Sequence, residues 1–489
     1  MPKMQNRKPI SVMNRKMVVR RKKKSKPASI AKSKSAPAKH HLISNGNVHG
    51  KALRQHTPRS SHAQWNPPAD RRDPVDILIK SSAHRIQHLV PIRYGRMMQS
   101  PFAFYRGGAA IMAADLAHTP ITGLKVQVCG DCHLMNFGIF ATPERRLVFD
   151  INDFDETLPG PWEWDVKRLA ASFVIASRHN GSKRSQARSA ALNCVDGYRK
   201  NMARFADMQS LDVWYERVDV DELLDHLPAP IRTTTQDDIR KATHGGPEHD
   251  FYKLVNAEKG KPKIRDHQPL VYHATHDEAR ELMDHLQEAF RRYRNTLPDE
   301  RRVLLDRYTV ADHAMKVVGV GSVGTRCGVL LMMGGAKDPL FLQVKEACES
   351  VLEPYLGKSA YDNHGDRVVN GQRLMQSASD LFLGWTYGRN GRHFYIRQLH
   401  DVKIKLMVEL YDPPTMSVYA EYCGWVLARA HARSGSPKQI SQYLGDSDRF
   451  DQSIADFAEA YADQNERDYQ EFVRAVRKRR LPVAAVRSS

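Results

Sequence analysis

The chain has 489 residues, 41% of them apolar, and a formal net charge of +20; that length can bury more than one core, and two or three domains are the expectation. No apolar run approaches the ~18 residues that span a bilayer, no apolar segment with a cleavage site follows the basic opening residues, and six cysteines over this length make no disulfide framework. Membrane-spanning and disulfide-scaffolded secreted proteins are therefore disfavoured, and a cytoplasmic location is expected.

The charge is localised. Residues 1–69 contain 17 Lys and Arg and no acid, so only +3 is left for the rest of the chain. Runs such as Arg20-Arg21-Lys22-Lys23-Lys24 with few aromatics cannot bury enough surface to fold, and 1–69 reads as a disordered basic tail. It can attract nucleic acid or anionic lipid without specificity, although a solvated extension with no dedicated partner is the plainer reading.

Globular composition begins after Pro67-Pro68. Ile77, Leu78, Ala83, Ile86 and Leu89 recur at helical spacing, and Ser100-Pro101 opens a further helix running through Leu116. Leu124 to Val128 and Arg146 to Ile151 read as strands, then Trp164 to Arg178 and Arg184 to Phe205 as helices. Residues 213–275 are polar and mixed, with Thr233-Thr234-Thr235 and Gly245-Gly246-Pro247 as loop punctuation. His276 to Arg294 follows as a long amphipathic helix. Lys316 to Val320, Thr325 to Met333 and Leu340 to Glu346 then read as strands, with a turn at Gly334-Gly335. Val368 to Phe382 is expected as helix, His393 to Leu399 as strand, and Met416 to Ala432 and Ile454 to Val476 as closing helices. The expected class is α+β, a small sheet set among many helices.

Two segments carry chemistry. In the first, Gly130-Asp131 is followed by Asn136 and then by Asp150-Ile151-Asn152-Asp153-Phe154-Asp155-Glu156. A carboxylate held in a turn after a strand suits a base that takes a hydroxyl proton, here Asp131. Asn136 and Asp153 offer the oxygen ligands that Mg²⁺ prefers, and Asp150 competes for that role. The competing reading makes these residues turn formers at strand ends, but four carboxylates crowded into so short a stretch favour a bound cation. In the second segment, Gly319, Gly321 and Gly324 form a G-x-G-x-x-G loop containing Ser322, followed on a later strand by Lys345. A Rossmann fingerprint needs a helix directly after the third glycine. Here the sequence continues as strand, which is the arrangement that covers nucleotide phosphates in kinase-type sites. A plain tight hairpin and an exposed strand lysine are the alternatives. Arg93, Arg96 and Arg106 are candidates for binding phosphate or an acidic substrate. Cys129-Gly130-Asp131-Cys132-His133 also fits a haem-attachment pattern, but no export segment is visible, and the other cysteines are too scattered to complete a zinc site.

The blocks around Ser100-Pro101-Phe102, Gly130 to Gly138, Asn152 to Glu156, Lys316 to Gly324, Gln343 to Ala347 and Ala428 to Gly435 resemble the bacterial proteins of unknown function called DUF2252, over roughly residues 70–475. More distantly, Gly130-Asp131 with Asn136, Asp153-Phe154-Asp155 and Asp165-Val166-Lys167-Arg168 is similar to the catalytic block of aminoglycoside and choline phosphotransferases. That resemblance implies Asp131 as base, Asn136 and Asp153 as metal ligands, Asp165 as a structural anchor, and ATP with Mg²⁺ as cofactors. Two departures stand out: Cys129 replaces the usual histidine before Gly-Asp, and the glycine loop follows the catalytic loop instead of preceding it. The implied fold is a two-lobed, protein-kinase-like α+β fold in circularly permuted order. Its parts are a basic tail at 1–69, a helical lobe with the catalytic loop at 70–304, a nucleotide lobe at 305–405, and helices at 406–489 completing the helical lobe. The implied function is phosphoryl transfer from ATP to a hydroxyl of an unknown acceptor. The alternatives are nucleotide binding without turnover, or association with nucleic acid through the tail. Such a lysine is normally held by a helix glutamate, and neither Glu349 nor Glu353 is spaced from Lys345 to supply one.

Overall fold

Four helices begin at a short polar residue followed by proline, which presets φ while the polar side chain accepts an otherwise orphaned backbone N–H. In the computed structural model, Asp73 accepts from Val75 N and Ser100 from Ala103 N, at the heads of Pro74–Ser82 and Pro101–Gly107. Asp412 and Ser436 do the same for Pro413–Ala432 and Pro437–Leu444. The structure describes residues 49–484 except 259–260, 269, 274–286, 318, 336–337, 400–402 and 405. Residues 1–48 of the expected tail, and 276–286 of the helix expected at His276 to Arg294, lie outside the described residues; 287–294 is helical.

The helical body is built around Trp162–His179, whose first sixteen residues are all buried. Arg184–Asp207, Pro413–Ala432 and Arg449–Arg477 pack around it. Two of these helices approach closely enough to require glycine: a Cβ on Gly197 would lie 2.6 Å from the Glu421 carbonyl oxygen, and one on Gly424 would collide with that of Cys194.

The strands are β1 (Lys125–Val128), β2 (Phe137–Ala141), β3 (Leu147–Ile151), β4 (Leu158–Pro161), β5 (Val218–Asp219), β6 (Val255–Glu258), β7 (Lys261–Ile264), β8 (Val271–Tyr272), β9 (Thr309–Lys316), β10 (Cys327–Gly335), β11 (Asp338–Ala347), β12 (Gly384–Tyr387), β13 (His393–Gln398) and β14 (Lys403–Ile404). A six-stranded sheet runs in the order β12-β13-β11-β10-β9-β8, antiparallel at every pairing. Its strands alternate sides, as the two-residue pleat dictates. Leu330, Met332, Leu342 and Ile396 join one core with Tyr293, Leu297 and Phe382, while Val329, Leu331 and Phe341 join another with Val255 and Ile264. A second sheet, β14-β2-β3-β5, and the pair β1-β4 flank the Gly130 to Asn136 loop. The described residues belong to one compact unit, His40–Ser489, and among them no helix is long and apolar enough to cross a membrane.

The class is α+β, with small sheets beside a larger helical part. Several expectations need correction. Thr233-Thr234-Thr235 and Gly245-Gly246-Pro247 lie inside the helix Ala229–Leu254; the Thr233 and Thr234 hydroxyls donate to carbonyls four residues back, which lets them sit within a helix instead of ending it. The helix expected at Val368 to Phe382 is His364–Met375, begun by Asn363 accepting from Gly365 N and Asp366 N. The helix expected from Ser100 through Leu116 is broken at Gly108. Residues 49–69 are not tail. His62 and Trp65 are buried, the His62 ring is 2.8 Å from the Tyr443 hydroxyl, and Arg54 and Arg59 donate to the Tyr443 and Leu444 carbonyls. The sheet part also begins before residue 305, since β6, β7 and β8 pack on or pair with it.

Candidate functional site

Gly130 makes the turn that presents Asp131. Its φ of +80° is left-handed, and a Cβ there would stand 2.6 Å from the Glu156 carbonyl oxygen, so a side chain is excluded. The turn is fastened from behind by Asp165, in the first turn of Trp162–His179, whose carboxylate accepts from Cys129 N (2.7 Å) and Gly130 N (3.0 Å). His431 Nε2 lies 3.3 Å from the same carboxylate. The Cys129 and Cys132 thiols and an Asp165 oxygen lie within 4.8 Å of one another, all buried. Asp165 is already engaged with the backbone, and burial pushes Cys132 up to about 12, so these groups read as loop packing.

Arg168, one turn along the same helix, donates through Nε (2.8 Å) and Nη2 to Asp131 Oδ1. Burial works against the guanidinium, but the Asp131 carboxylate outweighs it and holds Arg168 firmly charged. Asp131 Oδ2 is left out of this fork and lies 3.9 Å from His133 Nε2. Burial, with Arg106 and Arg168 nearby, pushes His133 well below the usual histidine value, so it is neutral at pH 7. Asn136 Nδ2 donates to the Asp131 carbonyl (2.6 Å), which leaves its Oδ1 available. Asp153 Oδ1 accepts from Asp155 N (3.1 Å). Burial and the adjacent Asp155 raise the Asp153 pKa despite Lys345 and Arg397; a carboxylate in that position is stabilised by a cation.

The sheet contributes the other wall. The glycine loop joins β9 to β10 through a short turn at Val320–Ser322, and a Cβ on Gly321 would lie 3.9 Å from Asp131 Oδ2. Lys345 on β11 is opposite Cys327 on β10 and Tyr395 on β13. Its Nζ lies 2.7 Å from Asp155 Oδ2, with the Tyr395 ring 5.2 Å away. Tyr395 Oη (2.7 Å) and Ser322 Oγ (3.2 Å) also donate to Asp155. Burial opposes the Lys345 charge, but Asp153 and Asp155 overcome it and hold its pKa well above the usual lysine value. Burial would raise Asp155, yet Lys345 and Tyr395 bring it below the usual carboxylate range. The acidic partner of Lys345 is thus Asp155 in the Asp153-Phe154-Asp155 segment. Glu353 instead accepts from Ser350 N and Ser359 N.

A cleft of about 410 Å³ is lined by Asp131, Asn136, Asp153, Gly319, Gly321, Ser322, Lys345 and Arg106, together with His133, Lys316, Gln343 and Arg397. Other sequence candidates lie elsewhere. Asp150 is fully buried and accepts from Arg429 Nη2 (2.7 Å), Ser377 N and Ser377 Oγ, so it is a core ion pair and not a metal ligand. Arg93 is buried and donates to Ser82 Oγ and the Gly107 carbonyl, which removes it from any substrate. Arg96 is half-buried, has partners within the protein and does not line the cleft. Gly324, at φ +88°, packs on Arg85 outside the lining.

Arg168, Asp155, Tyr395, Arg397 and Arg367 were not assigned roles from sequence. Arg367 donates to the Asp155, Thr157 and Cys348 carbonyls, bracing the Asp153 to Thr157 segment from helix His364–Met375. Tyr395 and Arg397 sit two residues apart on β13, opposite Lys345 and Gln343; the pleat alone would have put them on one face, but only the β11–β13 pairing says which face.

These features define a class: an α+β protein with a mixed-charge polar cleft where an antiparallel sheet meets a helical body. Residues 85–475 match the family model described as an uncharacterized protein conserved in bacteria, DUF2252, and the chain belongs to that family. No curated protein and no solved structure matches it.

Proposed function

We propose that this protein binds ATP with Mg²⁺ in the cleft and transfers the terminal phosphoryl group to a hydroxyl acceptor, on a kinase-like scaffold with its two lobes in permuted chain order. The observation that carries this reading is convergence. Asp131, Asn136 and Asp153 precede the glycine loop and Lys345 by more than 160 residues, yet they line one cleft with Gly319, Gly321, Ser322 and Lys345. The order of parts is also consistent: a strand pair flanking the catalytic loop, a glycine loop between antiparallel strands, a lysine on the following strand, and then a helix.

The donor set fits the metal, because Asn136 Oδ1 and the Asp153 carboxylate are hard oxygen ligands. Mg²⁺ supplies charge neutralisation for the phosphates. Lys345, held in place by Asp155 and Tyr395, and Arg397, held by the Asn152 carbonyl and Gln343, set cations where phosphate oxygens are to lie. Arg168 orients Asp131 so that Oδ2 takes the acceptor proton. The acceptor oxygen bonds to the γ-phosphorus as the bond to the β–γ bridging oxygen breaks, and ADP leaves.

A reading without turnover is favoured by one observation: Lys345 takes its carboxylate from the Asp153-Phe154-Asp155 segment and not from a helix. Asp131→Asn separates the two. Under the phosphotransfer reading the variant loses ATP consumption by at least about a hundredfold and keeps its nucleotide affinity; unchanged turnover would favour binding alone.

A further inference from the structure

The cations of the cleft are not equally matched. Lys345 is balanced by Asp155, and Arg397 is hydrogen-bonded to Gln343 and the Asn152 carbonyl. Arg106 comes from the other wall, on the helix Pro101–Gly107. Its Nε is buried without a hydrogen-bond partner, and among the described residues no carboxylate pairs with it. It stands on the base side of the cleft. A Cβ on Gly321 would touch both the Arg106 carbonyl oxygen (3.7 Å) and Asp131 Oδ2 (3.9 Å), and His133, whose Nδ1 is also buried without a partner, lines the same wall. A buried guanidinium Nε left without an acceptor is costly unless something that enters the site completes it.

We propose that Arg106, with His133 beside it, forms an oxyanion subsite next to Asp131, and that the acceptor is a small hydroxyl compound carrying a phosphate or carboxylate group. This deepens the phosphotransfer reading and rests on it for the word acceptor; the oxyanion subsite itself does not. The acceptor hydroxyl must approach Asp131 to give up its proton, so a group on the same molecule falls within reach of the guanidinium. Arginine suits the task, because its planar fork meets phosphate or carboxylate oxygens in pairs. Burial lowers the pKa of Arg106 and Arg96 adds to that, with Asp131 and Glu409 opposing.

Inorganic phosphate and acetate are the probes, small enough to enter whatever the shape of the whole acceptor. Each is titrated calorimetrically into the full chain saturated with Mg²⁺ and a non-hydrolysable ATP analogue, as wild type, Arg106→Gln and Arg106→Lys. At least one probe is expected to bind the wild type, with a loss of tenfold or more in Arg106→Gln, partial recovery in Arg106→Lys, and nucleotide affinity within twofold throughout. The stronger probe says whether the group is phosphate or carboxylate. Thermal melting of each variant checks that it is folded. Absence of binding by both probes, or a loss that fails to follow Arg106, overturns the subsite. An equal loss of nucleotide and probe affinity also overturns it, because Arg106 would then belong to the nucleotide. Should the nucleotide analogue not bind at all, the titrations are repeated without it. Arg106-dependent probe binding would then retain the subsite while removing phosphotransfer.

Discussion

Removing the ammonium of Lys345 leaves the Asp155 carboxylate beside Asp153 with no cation paired to it. The Lys345 side chain is 4% exposed and that of Asp155 27%, with 2.7 Å between Nζ and Oδ2. Breaking a buried pair by deleting one partner costs about 3–5 kcal/mol. Asp155 keeps the Tyr395 and Ser322 hydroxyls as donors and some solvent, so Lys345→Met is expected at the lower end, about 3 kcal/mol. Asp155→Asn strands the lysine instead and should cost a similar amount. The double variant should be less destabilised than the sum of the two by about 1.5–3 kcal/mol, since the second change removes a group already uncompensated. The pH window follows from the shifts. Asp155 is depressed, so its contribution is present above the ordinary 3.8 and is lost as pH falls through the folded value. Lys345 is raised, so its contribution is complete below 10.5 and disappears only as pH rises through the folded value. Urea unfolding of the full chain at pH 7, followed by tryptophan fluorescence, measures all three variants. Single-variant losses under about 0.5 kcal/mol, or strictly additive losses, would refute the coupling.

Gly130→Ala forces a side chain into left-handed backbone against the Glu156 carbonyl; a loss of about 2 kcal/mol in denaturant unfolding is expected, and an unchanged midpoint would contradict the turn. Burial raises Glu156 from 4.5 to about 7, so its neutral form is favoured on folding. Wild-type stability from this group is therefore full below 4.5 and falls by up to about 3 kcal/mol as pH rises through 7. Glu156→Gln should flatten that slope in melting curves taken from pH 5 to pH 8. Deleting residues 1–48 removes 14 of the 17 tail cations while sparing the packed segment from 49; salt-sensitive retention on DNA or RNA should fall sharply, and retention that persists would locate a basic groove in the folded part.

Local signals in the sequence were read well where one residue type has one dominant use. Ser100-Pro101 marks a helix start, and the chain after the third glycine is legible as strand because no helix follows it, whereas the strand before the loop is β9 at Thr309–Lys316 and not Lys316 to Val320, since the glycines there turn the chain instead of extending it. The Asp131, Asn136 and Asp153 spacing was legible because the three lie within one short stretch of chain. Long-range pairing was not. Nothing near Lys345 announces Asp155, 190 residues earlier, nor that Tyr395 and Arg397 face it across β11–β13. Asp150 failed as a candidate because a buried carboxylate paired with Arg429 and one open to a cleft look alike in sequence. The segment 229–254 failed because threonine and glycine propensities gave way to a helix whose threonine hydroxyls are satisfied by its own carbonyls.

The most direct measurement of the central claim is calorimetric titration of ATP into the full-length protein, with Mg²⁺ and without it, in the wild type and in Asp153→Asn. Saturable binding that requires Mg²⁺ and weakens at least tenfold in Asp153→Asn is expected, because the proposed function assigns the carboxylate and Asn136 as the protein's oxygen ligands to the metal. A folded wild-type protein that binds no ATP at millimolar nucleotide and Mg²⁺, or that binds it equally well without the metal and without the Asp153 carboxylate, would contradict it.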